Sequence, residues 1–80
     1  MKTVNLREIL SLNIKAFRAG EGLSQEEFAA RCGLHRTYIG SVERQERNVT
    51  LVTLSQLSTA MGVSAADLLT AGRRKASAGG

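Results

Sequence analysis

Apolar residues recur along this 80-residue chain at helical rather than strand spacing, and polar caps divide them into five short segments. Asn5 followed by Glu8 reads as the start of a first helix, whose stripe is Leu10, Ile14 and Phe17. Gly20 and Gly22 end it. Ser24 with Glu27 three positions on forms a capping box, so a second helix is predicted from Gln25 to about Cys32, with Phe28 and Ala29 turned inward. Gly33 fits the left-handed residue that closes it, and Leu34 is the apolar residue of the turn.

A third helix is predicted over Arg36 to Glu43. Ile39 and Val42 are its only strongly apolar positions, and this narrow stripe predicts that most of its circumference stays free. Gly40 lowers its helix propensity by about 1 kcal/mol relative to alanine. Either a side chain there would collide with a partner, or another helix packs closely. After the polar stretch 45–49, Thr50 caps a fourth helix with Leu51, Leu54, Leu57 and Met61 as its stripe and Gly62 at its end. Ser64 and Asp67 open a short fifth helix carrying Leu68 and Leu69. No segment alternates as a strand would. The expected fold is all-α with five helices, a single domain over 5–71, followed by a disordered basic tail over 72–80.

Composition narrows the class. Apolar residues make up 42% of the chain, enough for one modest core, and Phe17, Phe28 and Tyr38 are its only aromatics, so that core is aliphatic. Cys32 is the single cysteine and cannot form an internal disulfide, which fits a reducing compartment. No apolar run approaches the ~18 residues that span a bilayer. The first residues also lack the apolar core of a signal peptide. A soluble cytoplasmic protein without a membrane partner is expected. The net charge is +4, but Arg73, Arg74 and Lys75 supply most of it, and residues 1–72 carry eight basic against seven acidic side chains. Overall charge therefore says little about a nucleic-acid partner.

The local arrangement says more. Two short helices joined by a glycine-containing turn form a helix-turn-helix, here the second and third helices, whose second member can enter a major groove about 12 Å wide. Gln25 stands at the positive end of the second helix, where free N–H groups favour a phosphate. Arg36 and Thr37 form the tip of the third: an arginine fork matches guanine O6 and N7, and threonine offers a hydroxyl and a methyl. Arg44, Arg47 and Asn48 follow, placed for phosphates or further base edges.

No constellation for catalysis, metal or cofactor accompanies this. Cys32 and His35 lie three apart across the turn, where a buried filler and a cap position account for them. One histidine and one cysteine do not complete a zinc site. Glu26 and Glu27 are adjacent and point apart on a helix. A non-enzyme without cofactor or metal is expected.

The stretch LSQEEFAARCGLHRTYIGSVERQERNVTLVTLSQLSTAMGVSAADLL resembles the Cro/repressor-type (Xre-like) helix-turn-helix domain, and its RTYI…ER…RN pattern is similar to that of the controller proteins of restriction–modification systems. The resemblance implies the five-helix lambda-repressor-like fold and a homodimer, assembled around the fifth helix, on palindromic double-stranded operators near promoters. RNA polymerase is a further implied partner. By position, it implies base contacts from Arg36, Thr37 and Arg47. It also implies backbone contacts from Ser24, Gln25, Tyr38, Arg44 and Asn48, with Tyr38 towards the operator centre. A buried ion pair between Arg18 and Glu43 is implied as well. Gly40 departs from a usual serine, and Ala65 from a frequent proline. The competing class is an antitoxin or phage-repressor-like regulator of the same fold that also binds a protein; a neighbouring toxin gene would favour it, and neighbouring restriction and methyltransferase genes the controller.

Overall fold

The computed structural model describes residues 5–72, so the sequence expectation for a disordered tail over 72–80 falls, apart from Gly72, outside the described residues. Five helices follow one another: α1 (Leu6–Glu21), α2 (Gln25–Cys32), α3 (Arg36–Glu43), α4 (Leu51–Met61) and α5 (Ala65–Leu68). No strand occurs among the described residues. Each start is set locally. The side chains of Asn5, Ser24, Thr50 and Ser64 accept hydrogen bonds from backbone N–H groups three residues on, and at Ser24 and Ser64 the reciprocal acid completes a capping box. His35 occupies the corresponding position before α3, but its side chain makes no capping bond.

The helices enclose one core, formed by Leu10 and Ile14 of α1, Phe28, Ala29 and Cys32 of α2, Ile39 and Val42 of α3, Leu54 and Leu57 of α4, and Leu68 of α5. Phe17 packs its ring against Phe28, the centroids 5.7 Å apart and the planes tilted by 54°. Polar side chains then tie helix ends to other helices. Ser11 Oγ donates to the Glu43 carbonyl at 2.6 Å, Asn13 Nδ2 to the carbonyls of Leu68 at 2.8 Å and Thr70 at 3.2 Å, and Gln56 Nε2 to the Cys32 carbonyl at 3.2 Å. Each of these oxygens ends or follows a helix, where no further turn supplies a donor. Together they fix how α2, α3 and α5 project from the body.

Two expectations are corrected. Leu51 is not part of the buried stripe of α4: it is 84% exposed, and its neighbour Val52 is 71% exposed. Leu54 and Leu57 carry the packing, and Leu51, in the first turn, overhangs the end of the core. The third helix also buries far more than Ile39 and Val42. Gly40, Ser41 and Glu43 are buried as well, because α1 and α2 both pack against it. Its free surface is confined to the first turn.

The end of α3 has a feature the sequence does not advertise. Gln45 adopts the left-handed conformation (φ +64°), its N–H donates to the Val42 carbonyl, and the N–H of Glu46 donates to that of Ser41. This is the helix-ending turn that glycine normally makes, built here with a glutamine. The Arg7 side chain reaches the Gln45 carbonyl from α1 at 3.4 Å.

Candidate nucleic-acid interface

α2 and α3 pack directly on each other, and the junction is governed by a carboxylate at the inner end of α3. Glu43 is only 4% exposed. Arg18 donates to it twice, Nε to Oε2 at 2.7 Å and Nη2 to Oε1 at 2.9 Å, while Arg18 Nη1 donates to the Leu23 carbonyl at 3.0 Å. Gln25 Nε2 adds a third bond to Oε1 at 3.0 Å. Burial pushes the Glu43 carboxyl up, but the bonds from Arg18 and Gln25, with the charges of Arg18 and Lys15, outweigh it and hold the group below its ordinary value. Arg18 is shifted up by its bond to Glu43, against the opposing effect of burial. One ionised carboxylate thus joins the end of α1, the start of α2 and the end of α3. It sets the angle of the helix pair.

This network engages part of Gln25, a residue expected at a phosphate. One of its amide N–H groups is turned inward to Glu43. The positive end of α2 is also partly neutralised by its own sequence. The Glu27 carboxylate accepts from the Ser24 N–H at 2.8 Å, and it is held below its ordinary value chiefly by that bond and the one from the Ser24 side chain. The Ser24 hydroxyl accepts from the Glu27 N–H at 3.0 Å.

Gly40 lies where α2 crosses α3. A β-carbon there would stand 3.2 Å from Arg44 Nη1 and 3.5 Å from Gln25 Oε1. The first is the tip of an exposed arginine, which can give way, and the second is ordinary van der Waals contact, so the chain itself leaves room for a small side chain here.

On the outer side, Arg36 and Thr37 are exposed in the first turn of α3. Tyr38, beside them, is half-buried. The Arg47 guanidinium lies over its ring, 5.1 Å from the centroid, and Arg47 Nε donates to Ser41 Oγ at 3.1 Å. Although Arg47 belongs to the loop, it is returned to the flank of α3 at Tyr38 and Ser41. Arg44 is paired with Glu46, Nε to Oε2 at 3.1 Å and Nη2 to Oε1 at 3.2 Å, both side chains more than half exposed. Asn48 is exposed on the same loop. The candidates therefore form two groups: Arg36, Thr37, Tyr38 and Arg47 around the start and flank of α3, and Arg44 and Asn48 on the loop. Ser24 and Gln25 stand at the start of α2.

Ser41 and Glu46 are the residues that spacing alone does not single out. Ser41 counts as one more polar position of a free helix face until its burial is known. Glu46, two residues after Arg44 in an irregular loop, has no periodicity to pair it.

Elsewhere, Cys32 is buried in the core and its thiol is pushed up to about 11 by that burial, which makes it unreactive at neutral pH. Among the described residues no group of three His, Cys, Asp or Glu side chains could hold a metal ion, and no helix is long and apolar enough to cross a membrane.

Comparison with known proteins agrees with this geometry. A helix-turn-helix family model matches residues 14–68. The control protein C.SmaI of Serratia marcescens is 54% identical over 67 residues, covering 84% of this chain and 80% of that protein. The crystal structure of a hypothetical transcription factor from Neisseria superposes with a TM-score of 0.82 at 42% identity, covering 86% of this chain and 78% of the other. The restriction–modification controller C.Esp1396I, solved as a tetramer in complex with its natural 35 base-pair operator, superposes with a TM-score of 0.69 at 35% identity over 79% of this chain and 83% of its own. A five-helix body with an exposed arginine–threonine tip on α3, matched in sequence and in structure over most of its length, places this chain in the helix-turn-helix family of DNA-binding regulators, as a homologue of the restriction–modification controller proteins.

Proposed function

We propose that this protein is a homodimeric transcriptional regulator that reads an inverted-repeat operator and controls a restriction–modification system. The observation that carries the reading is the exposure of Arg36 and Thr37 in the first turn of α3, with Arg47 held on the same helix by Tyr38 and Ser41. Two arginine forks and a threonine at the tip and flank of one helix suit guanine edges and a thymine methyl in the major groove. Ser24, Gln25, Tyr38, Arg44 and Asn48 surround that tip as backbone contacts, which position the helix without reading sequence.

A dimer is supported by apolar surface left bare in the second half of the chain: Leu51, Val52 and Val63 are exposed, and Leu69 is only half-buried after α5. A twofold pair would place its two α3 helices in successive major-groove turns, with half-sites about 34 Å apart. The relatives add weight, since the controller C.Esp1396I was solved as a tetramer on its operator. A contact with RNA polymerase would make such a dimer an activator at one site, while occlusion alone would make it a repressor at another. Selection from a pool of random duplexes, with sedimentation of the free protein, tests the proposal. An inverted repeat with that spacing and a dimer at micromolar concentration are expected; a single unrepeated half-site bound by a monomer would overturn it.

A further inference from the structure

Resting on that reading, we propose that Ser41 is a positioning residue for sequence recognition: it holds Arg47 so that only the Nη1/Nη2 end of the guanidinium is presented to DNA. Ser41 lies in the buried half of α3 and does not itself face the groove. Its hydroxyl donates to the Tyr38 carbonyl at 2.7 Å, and a serine has only one hydrogen to donate. That bond turns a lone pair of Oγ outward, where it accepts from Arg47 Nε at 3.1 Å. The carbon of the same guanidinium lies over the Tyr38 ring, 5.1 Å from its centroid. Two anchors, a hydrogen bond at Nε and an aromatic ring beneath the guanidinium carbon, hold the group in place.

A guanidinium has five N–H donors and can grip a pair of acceptors side-on, through Nε and one Nη, or end-on, through both Nη atoms. With Nε bound to Ser41, the side-on grip is closed and the end-on grip remains. Arg47 then approaches a guanine already oriented. Less side-chain freedom is lost when it binds. Arg36, which has no such anchor in the described structure, differs from it in kind. The two arginines read the operator with unequal rigidity.

A double-mutant cycle with Ser41→Ala and Arg47→Ala, measured on the selected operator and on a random duplex, tests this. The free protein is followed in parallel through the NMR signal of the Arg47 Nε–H. Ser41→Ala should weaken operator binding roughly five- to twentyfold in the wild-type background and less than about twofold when Arg47 is already alanine. It should barely change random-duplex binding, and it should shift the Arg47 Nε–H signal, which Ser41→Thr should retain. Equal losses in both backgrounds would make Ser41 merely structural and overturn the proposal, as would an Nε–H signal unmoved by Ser41→Ala. A wild-type chain with no operator preference overturns the regulator reading and the recognition role with it; an unmoved Nε–H overturns the role of Ser41 alone.

Discussion

Arg18 and Glu43 face each other in a two-pronged ion pair, Nε to Oε2 at 2.7 Å and Nη2 to Oε1 at 2.9 Å, that fastens the last turn of α1 to the last turn of α3. The two partners are unequally exposed: the carboxylate is 4% accessible and the guanidinium 22%. Removing the arginine strands a buried charge, while removing the glutamate leaves a cation that can turn towards water. Arg18→Ala is therefore expected to destabilise the fold by about 3 kcal/mol or more, and Glu43→Ala by distinctly less. Urea unfolding of both variants with unchanged slopes measures the difference. The reverse order would show that packing of the side chains, not the stranded charge, dominates.

The same carboxylate sets an acid limit. The Glu43 group is held below its ordinary value in the folded chain by Arg18 and Gln25, against burial, and Glu27 is held low by Ser24. A lowered folded value means that the contribution is complete above the ordinary carboxylate range and is lost as pH falls through the folded value. Stability should be level from neutral pH down to that range and decline below it. Glu43→Gln should lower the neutral plateau and flatten the acid decline; thermal melts across the range read both effects.

Gln45 carries a left-handed backbone at the end of α3, a conformation that glycine adopts without steric cost. Gln45→Gly should raise stability by about 0.5–1 kcal/mol, since the turn and the carbonyl that Arg7 reaches both remain. A fall in melting temperature would show that the glutamine side chain contributes more than its backbone costs.

Glu46 holds Arg44 through two bonds on an exposed loop, acting where a DNA phosphate would. Glu46→Gln should tighten binding to operator and random duplex alike, most clearly at low salt, and steepen the dependence on salt concentration by up to about one phosphate contact. An effect on the operator alone would assign Glu46 to sequence reading.

The helix starts were legible because a cap is a local event: Asn5, Ser24, Thr50 and Ser64 each act within three residues of themselves. The exposed tip at Arg36 and Thr37 was legible for the same reason, lying immediately after the turn that Gly33 makes. What the sequence concealed depends on distant partners. Gly40 to Glu43 are buried because Ser11, Arg18 and Gln25 reach them from two other helices. Leu51 keeps the spacing of a core stripe, yet spacing cannot say where the core ends. The left-handed turn at Gln45 has no glycine to signal it. The anchoring of Arg47 by Ser41 joins a loop to a helix across six residues, a separation that no helical period marks.

The most direct test of the central claim, that the first turn of α3 reads base sequence, is the affinity of Arg36→Ala and of the wild type for the selected operator and for a random duplex at one salt concentration. Arg36 is exposed and far from the core, so the variant should fold normally. It should lose ~1–3 kcal/mol on the operator for each half-site guanine it contacts, with a much smaller loss on the random duplex. Equal losses on the two duplexes would place Arg36 on the phosphate backbone and contradict the claim.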